Sequence, residues 1–132
     1  MAYEASIIEL GPLGGRPLRF TVANTAGISK GTLLKLTTPR TAAAATTMTD
    51  AFAGIAAADK EANDGSTTLA AYTQGIFDLR IEEAVAAGEW LQISGANVVC
   101  GITNAISSGS FVGKALETSS GPDTIAVAVG YY

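Results

Sequence analysis

The chain has 132 residues, enough for one domain to bury a core without a disulfide or a structural metal. Its net charge is −4, and its eight Lys and Arg residues form no basic run, so it can neutralise few phosphates and nucleic-acid binding is disfavoured. A hydrophobic fraction of 48% against 15% charged residues excludes a disordered tail, and the lack of histidine removes the usual general base.

The N-terminus carries neither the basic start nor the apolar run of a signal peptide. No stretch of ~18 uncharged apolar residues occurs, so the expectation is a soluble product of a cytosol, with no membrane partner. Residues 1–17 read as an N-terminal arm or first strand ending in a hinge, Gly11-Pro12-Leu13-Gly14-Gly15-Arg16-Pro17. That hinge lacks the spacing and the Gly-Lys-Ser/Thr ending of a phosphate loop. Residues 18–132 read as a single β domain. Short β-branched runs between Gly, Asn-Asp-Gly and Ser-Ser-Gly turns predict strands at 5–10, 18–23, 32–37, 67–73, 76–80, 90–94, 98–103, 111–117 and 124–129.

Two stretches are less plain. In 41–59 the alanines favour helix, while Thr41, Thr46, Thr47, Thr49 and Gly54 oppose it; mostly strand and loop is the expectation. Residues 81–87 have the composition for one helical turn.

The most informative feature is an internal repeat. Phe20-Thr21-Val22 and Gly31-Thr32-Leu33-Leu34-Lys35-Leu36 match Phe77-Asp78-Leu79 and Gly88-Glu89-Trp90-Leu91-Gln92-Ile93, since 77 − 20 and 88 − 31 are both 57. Ala51-Phe52-Ala53-Gly54 then matches Ser110-Phe111-Val112-Gly113, and Gly65 with Leu69 matches Gly121 with Ile125, at slightly different offsets. Such slips are loop-length differences. The halves, about 18–75 and 76–132, predict an all-β fold with little helix. Its form is a compact barrel-like or β-clip/β-tulip domain of short strands, the two halves wrapped around one core.

Chemistry is hard to find. Serines have no histidine to activate them and no Gly-x-Ser-x-Gly elbow. Glu82 and Glu83 are adjacent and would point to opposite faces of a strand. The run Asp59-Lys60-Glu61-Ala62-Asn63-Asp64-Gly65 is rich in oxygens, yet it contains a lysine and lacks the closing glutamate of a calcium loop, so it reads as a polar turn. Cys100, within an apolar run, reads as a small buried hydrophobe. Trp90, Tyr131 and Tyr132 read as core or interface aromatics. No catalytic, metal or cofactor site is expected, and the chain reads as a non-enzyme.

Five pieces, in this order and spacing, resemble the capsid decoration (cement) proteins of tailed bacteriophages. They are 28–36, 54–57, 75–79, 85–93, and Val112-Gly113-Lys114-Ala115-Leu116 followed by Thr124-Ile125-Ala126-Val127-Ala128-Val129. The stretch 41–50 departs from the family pattern in being less β-like, which leaves a loop or helix open there. The resemblance implies a structural protein without enzyme activity or cofactor, and with no small-molecule substrate. It implies a homotrimer at three-fold and quasi-three-fold sites on the outer surface of an expanded virion shell, with the major capsid protein as partner. It also implies an N-terminal arm that grips the capsid, and Tyr3, Ile7, Ile8 and Leu10 offer a strand edge suited to that. The competing reading is a glycan- or receptor-binding β module of a viral fibre or surface protein.

Overall fold

A computed structural model describes residues 3–10, 17–48, 50–102 and 110–130. Residues 11–16 of the proposed 11–17 hinge, the start of the arm and the terminal tyrosines lie outside these residues. Within them the strands are β1 Ser6–Glu9, β2 Leu18–Thr21, β3 Leu33–Thr38, β4 Thr41–Ala44, β5 Phe52–Ala56 and β6 Thr68–Tyr72. They continue with β7 Gly75–Ile81, β8 Trp90–Gly95, β9 Val98–Gly101, β10 Phe111–Ala115 and β11 Asp123–Val129. The chain is all-β, as its short β-branched runs predict.

The repeat closes twice. Strands β2-β4-β3-β5-β6 form one closed barrel; β7, β11, β10, β8 and β9 form a second, closed by a parallel β7–β9 pairing, and β1 adds to the edge at β7. The halves therefore do not share one barrel, as the sequence suggested; each builds its own. The same small bridge recurs in both, Ile28 with Lys60 and Val85 with Ser119.

Why each half can close alone is visible in the cores. Val22, Ile28, Leu34, Ala42, Ala56, Leu69 and Ala71 fill the first barrel. Their repeat counterparts Leu79, Val85, Leu91, Val99, Ala115, Ile125 and Val127 fill the second. Alternation drives this placement: along β7 every second residue is buried, which sends Phe77, Leu79 and Ile81 inward. Strand β11 does the same with Ile125, Val127 and Val129. Gly54 and Gly113 also correspond, and each lets a neighbouring strand come close. A Cβ on Gly54 would lie 2.8 Å from the Tyr72 carbonyl oxygen, and one on Gly113 would collide with that of Ala128.

The alanine run is a strand. Leu34 pairs with Ala44, Lys35 with Ala43 and Leu36 with Ala42, so backbone pairing inside a small barrel overrides helical propensity. The following threonines form a loop held by Asp50, whose carboxylate accepts from the Thr46 and Thr47 amides at 2.7 and 2.9 Å and from the Thr47 hydroxyl. Partial burial pushes the Asp50 carboxyl up, but these bonds and Lys35 outweigh it and hold it below the ordinary value. Residues 81–87 form no helical turn, because Val85 exchanges both backbone hydrogen bonds with Ser119 across the barrel.

The barrels meet at a buried apolar junction. Leu33, Ala45 and Ile55 of the first barrel join the core cluster of the second, and the Tyr72 and Phe77 rings lie 5.9 Å apart. Buried Asn97, in the β8–β9 turn with φ 58°, accepts the Leu33 amide through Oδ1 at 2.9 Å. Asn97→Ala should cost about 1–3 kcal/mol in urea unfolding by leaving that buried N–H unpaired. Asn97→Gly should lose the same bond while keeping the left-handed turn, and so should fall between the two. An Asn97→Ala chain of wild-type stability would remove this bond from the account of the junction.

Candidate interaction surfaces

Among the described residues, strand β1 is the outermost strand of its sheet, pairing with β7 on one side only. Ser6 faces Asp78, Ile7 faces Phe77 and Glu9 faces Ile76, with an irregularity that leaves Ile8 out of the ladder. As a result Tyr3, Ile7 and Ile8 are 50, 40 and 50% exposed, a high fraction for apolar side chains on a single short segment. Leu10 differs, being half-buried against the core. The structure thus gathers three of the four residues singled out in the sequence on an open edge and uses the fourth as packing. The segment is fixed to the body by the Ala5 amide, which donates to the Gly31 carbonyl at 2.7 Å, and by the Arg80 guanidinium, 4.4 Å from the centre of the Tyr3 ring.

A second surface lies on the second barrel. The Trp90 ring packs on Phe111 at 5.1 Å, and Lys114 Nζ sits 4.5 Å from its centre. Together with Gly88, Glu89 and Ile102 these aromatics line an open hollow of about 570 Å³. In the first barrel the position equivalent to Trp90 is Leu33, which is fully buried; Trp90 itself is 39% exposed. It is a surface aromatic, not a core one.

The polar candidates are engaged in bracing. Glu82 pairs with Arg80 at 3.0 Å. Asp59 accepts the Lys30 amide at 2.6 Å. Asp64 accepts the Ser66 amide, the main reason its carboxyl is held low, and pairs with Lys60 at 3.3 Å. Among the described residues, no group of three acidic or thiol side chains is placed to hold a metal ion. Cys100 is buried, with its sulfur 3.7 Å from Gln92 Nε2. Two residues of structural weight escaped the sequence reading, Lys60 and Asn97. An asparagine in a tight hairpin turn is a signal for a left-handed residue, and it was available at Asn97; nothing in the sequence marks Lys60 as buried.

The model of the phage cement protein family matches residues 14–131. The chain belongs to that family. The match spans both barrels. No curated protein matches the chain. As a phage cement protein it has a capsid-stabilising structural role in the virion, and that class of protein is not an enzyme class.

Proposed function

We propose that this cement protein binds the outside of an expanded icosahedral capsid, as a homotrimer at three-fold and quasi-three-fold sites, and that β1 grips the major capsid protein. The observation that carries the reading is an apolar strand with an unpaired edge in a member of the phage cement family. An exposed edge presents a row of backbone donors and acceptors that a strand from another chain can pair with. Isoleucines beside that edge add apolar area, so the contact gains both directionality and hydrophobic energy.

Stabilisation then follows from mass action. A ligand that binds one state of an assembly lowers the free energy of that state by RT ln(1 + [L]/Kd). A protein that recognises three capsid subunits in their expanded arrangement holds the shell there, and a trimer on a three-fold axis engages three equivalent sites at once. The glycan-binding alternative would place its ligand at the Trp90 hollow. That lining offers one carboxylate, Glu89, among apolar groups, with Lys114 over the Trp90 ring beside it, few polar partners for a sugar.

Purified protein mixed with unexpanded and with expanded shells should co-sediment with the expanded form only. Equal binding to both forms, or to neither, would defeat the mechanism.

A further inference from the structure

We propose that the Trp90 face of the second barrel receives the first barrel of another copy of this chain, repeating between molecules the junction that joins the barrels within one. The inference rests on the homotrimer reading above and specifies the surfaces that build it.

The internal repeat makes the comparison possible, because each barrel carries a counterpart of every junction residue. At the junction the first barrel contributes Leu33, Ala45 and Ile55, all at most 1% exposed. Their counterparts are Trp90, Ile102 and Lys114, which lie on the outside of the second barrel around its apolar hollow. The second barrel brings its β8–β9 end, with Ile93 buried and Asn97 bonded to the Leu33 amide. On the first barrel the counterparts are Leu36, 44% exposed, and Arg40, while Leu18, 52% exposed, stands where the second barrel has Gly75.

Each half of the junction thus exists twice in the chain, once covered and once open. The open halves account for much of the molecule's exposed apolar surface. Of the eight large apolar side chains exposed among the described residues, three lie on the β1 segment, and three more are Leu18, Leu36 and Trp90. A first barrel seated on a neighbour's Trp90 face would cover all of the latter three.

The polar groups fit the same contact. Within the chain, Asn97 lies against Leu33, whose neighbour is Thr32. In the repeated contact Arg40 would lie against Trp90, whose neighbour is Glu89. The neutral residues at these positions inside the molecule are thereby replaced by opposite charges between molecules. The two open halves differ from each other, so the contact is head-to-tail, and three copies can close it into a ring of six barrels.

The test is sedimentation equilibrium of the full chain, of Trp90→Glu, of Leu36→Glu and of an equimolar mixture of the two variants. Trp90 is 39% and Leu36 44% exposed, so each variant should stay folded with a cooperative thermal transition, which is measured alongside. The wild type should sediment as a trimer, and each variant alone should show a threefold lower mass. The mixture should give dimers and no trimers, because each variant retains the half that the other has lost. A monomeric wild type, trimers of either variant, or a mixture that stays monomeric would each overturn the proposal. The functional reading fails separately: trimers that ignore expanded shells would sink it and leave the junction standing, while monomers that coat shells would do the reverse.

Discussion

Replacing Ile7 and Ile8 together with serine is expected to weaken attachment to expanded shells by about 30- to 150-fold per arm, because about 2–3 kcal/mol of apolar contact is removed. Both side chains are about half exposed in the free protein, so each has roughly half of its transfer energy left to gain on docking. The loss should multiply in a multivalent complex, where arms share one rigid body and the affinities compound. Fold stability should change little, since neither residue belongs to a core cluster and the backbone pairing with β7 survives serine. Ile7→Val with Ile8→Val, which keeps the β-branched apolar surface, should bind nearly as well as wild type. Truncation of residues 1–13 should abolish attachment too. It also removes the Ala5–Gly31 hydrogen bond and the Leu10 packing, which makes the serine pair the sharper measurement. Undiminished co-sedimentation of the serine variant would take β1 out of the capsid contact.

The strand pattern was legible in the sequence because barrels this small leave little freedom. Alternation along Ile125, Val127 and Val129 allows one inward face, and the glycine-anchored repeat fixed how the strands correspond. Separate closure of the two halves was not legible, because it depends on parallel contacts such as Thr21 with Thr41 and Arg80 with Val98, which join residues with no shared local pattern. The strand-and-loop reading of 41–59 stands against the helical propensity of its alanines: Ala42 and Ala45 are buried in the barrel interior and at the junction, and propensity does not register crowding. At the surfaces, the apolar β1 edge could be named from sequence, since consecutive exposed isoleucines stand out. Trp90 could not be placed, because an aromatic equivalent to a buried leucine has the sequence character of core. Only the asymmetry between a covered and an open copy of the same face reveals it.

Lys60→Ala should destabilise the protein by about 3 kcal/mol, the low end for removing one partner from a buried charged network. The side chain is 2% exposed, and its ammonium donates to the carbonyls of Asn24 and Ala26 at 2.9 Å each and of Glu61 at 3.2 Å. Asp64 at 3.3 Å supplies the counter-charge from a position one-third exposed, which limits the strength of the pair and places the estimate at the lower end. Alanine leaves three carbonyls facing a void where a charged donor had been, beside the backbone bridge between Ile28 and Lys60. The midpoint of thermal unfolding should fall by about 10 °C for a chain of this size. Lys60→Met separates the contributions, because it keeps the stem that fills the space and removes only the donors; it should recover the packing part and no more. Amide exchange should quicken around residues 24–28 and 60–65, while β1 and its affinity for expanded shells stay unchanged. If Lys60→Met equals wild type in stability, the ammonium contributes nothing net, and packing of the lysine stem alone explains why this residue is buried.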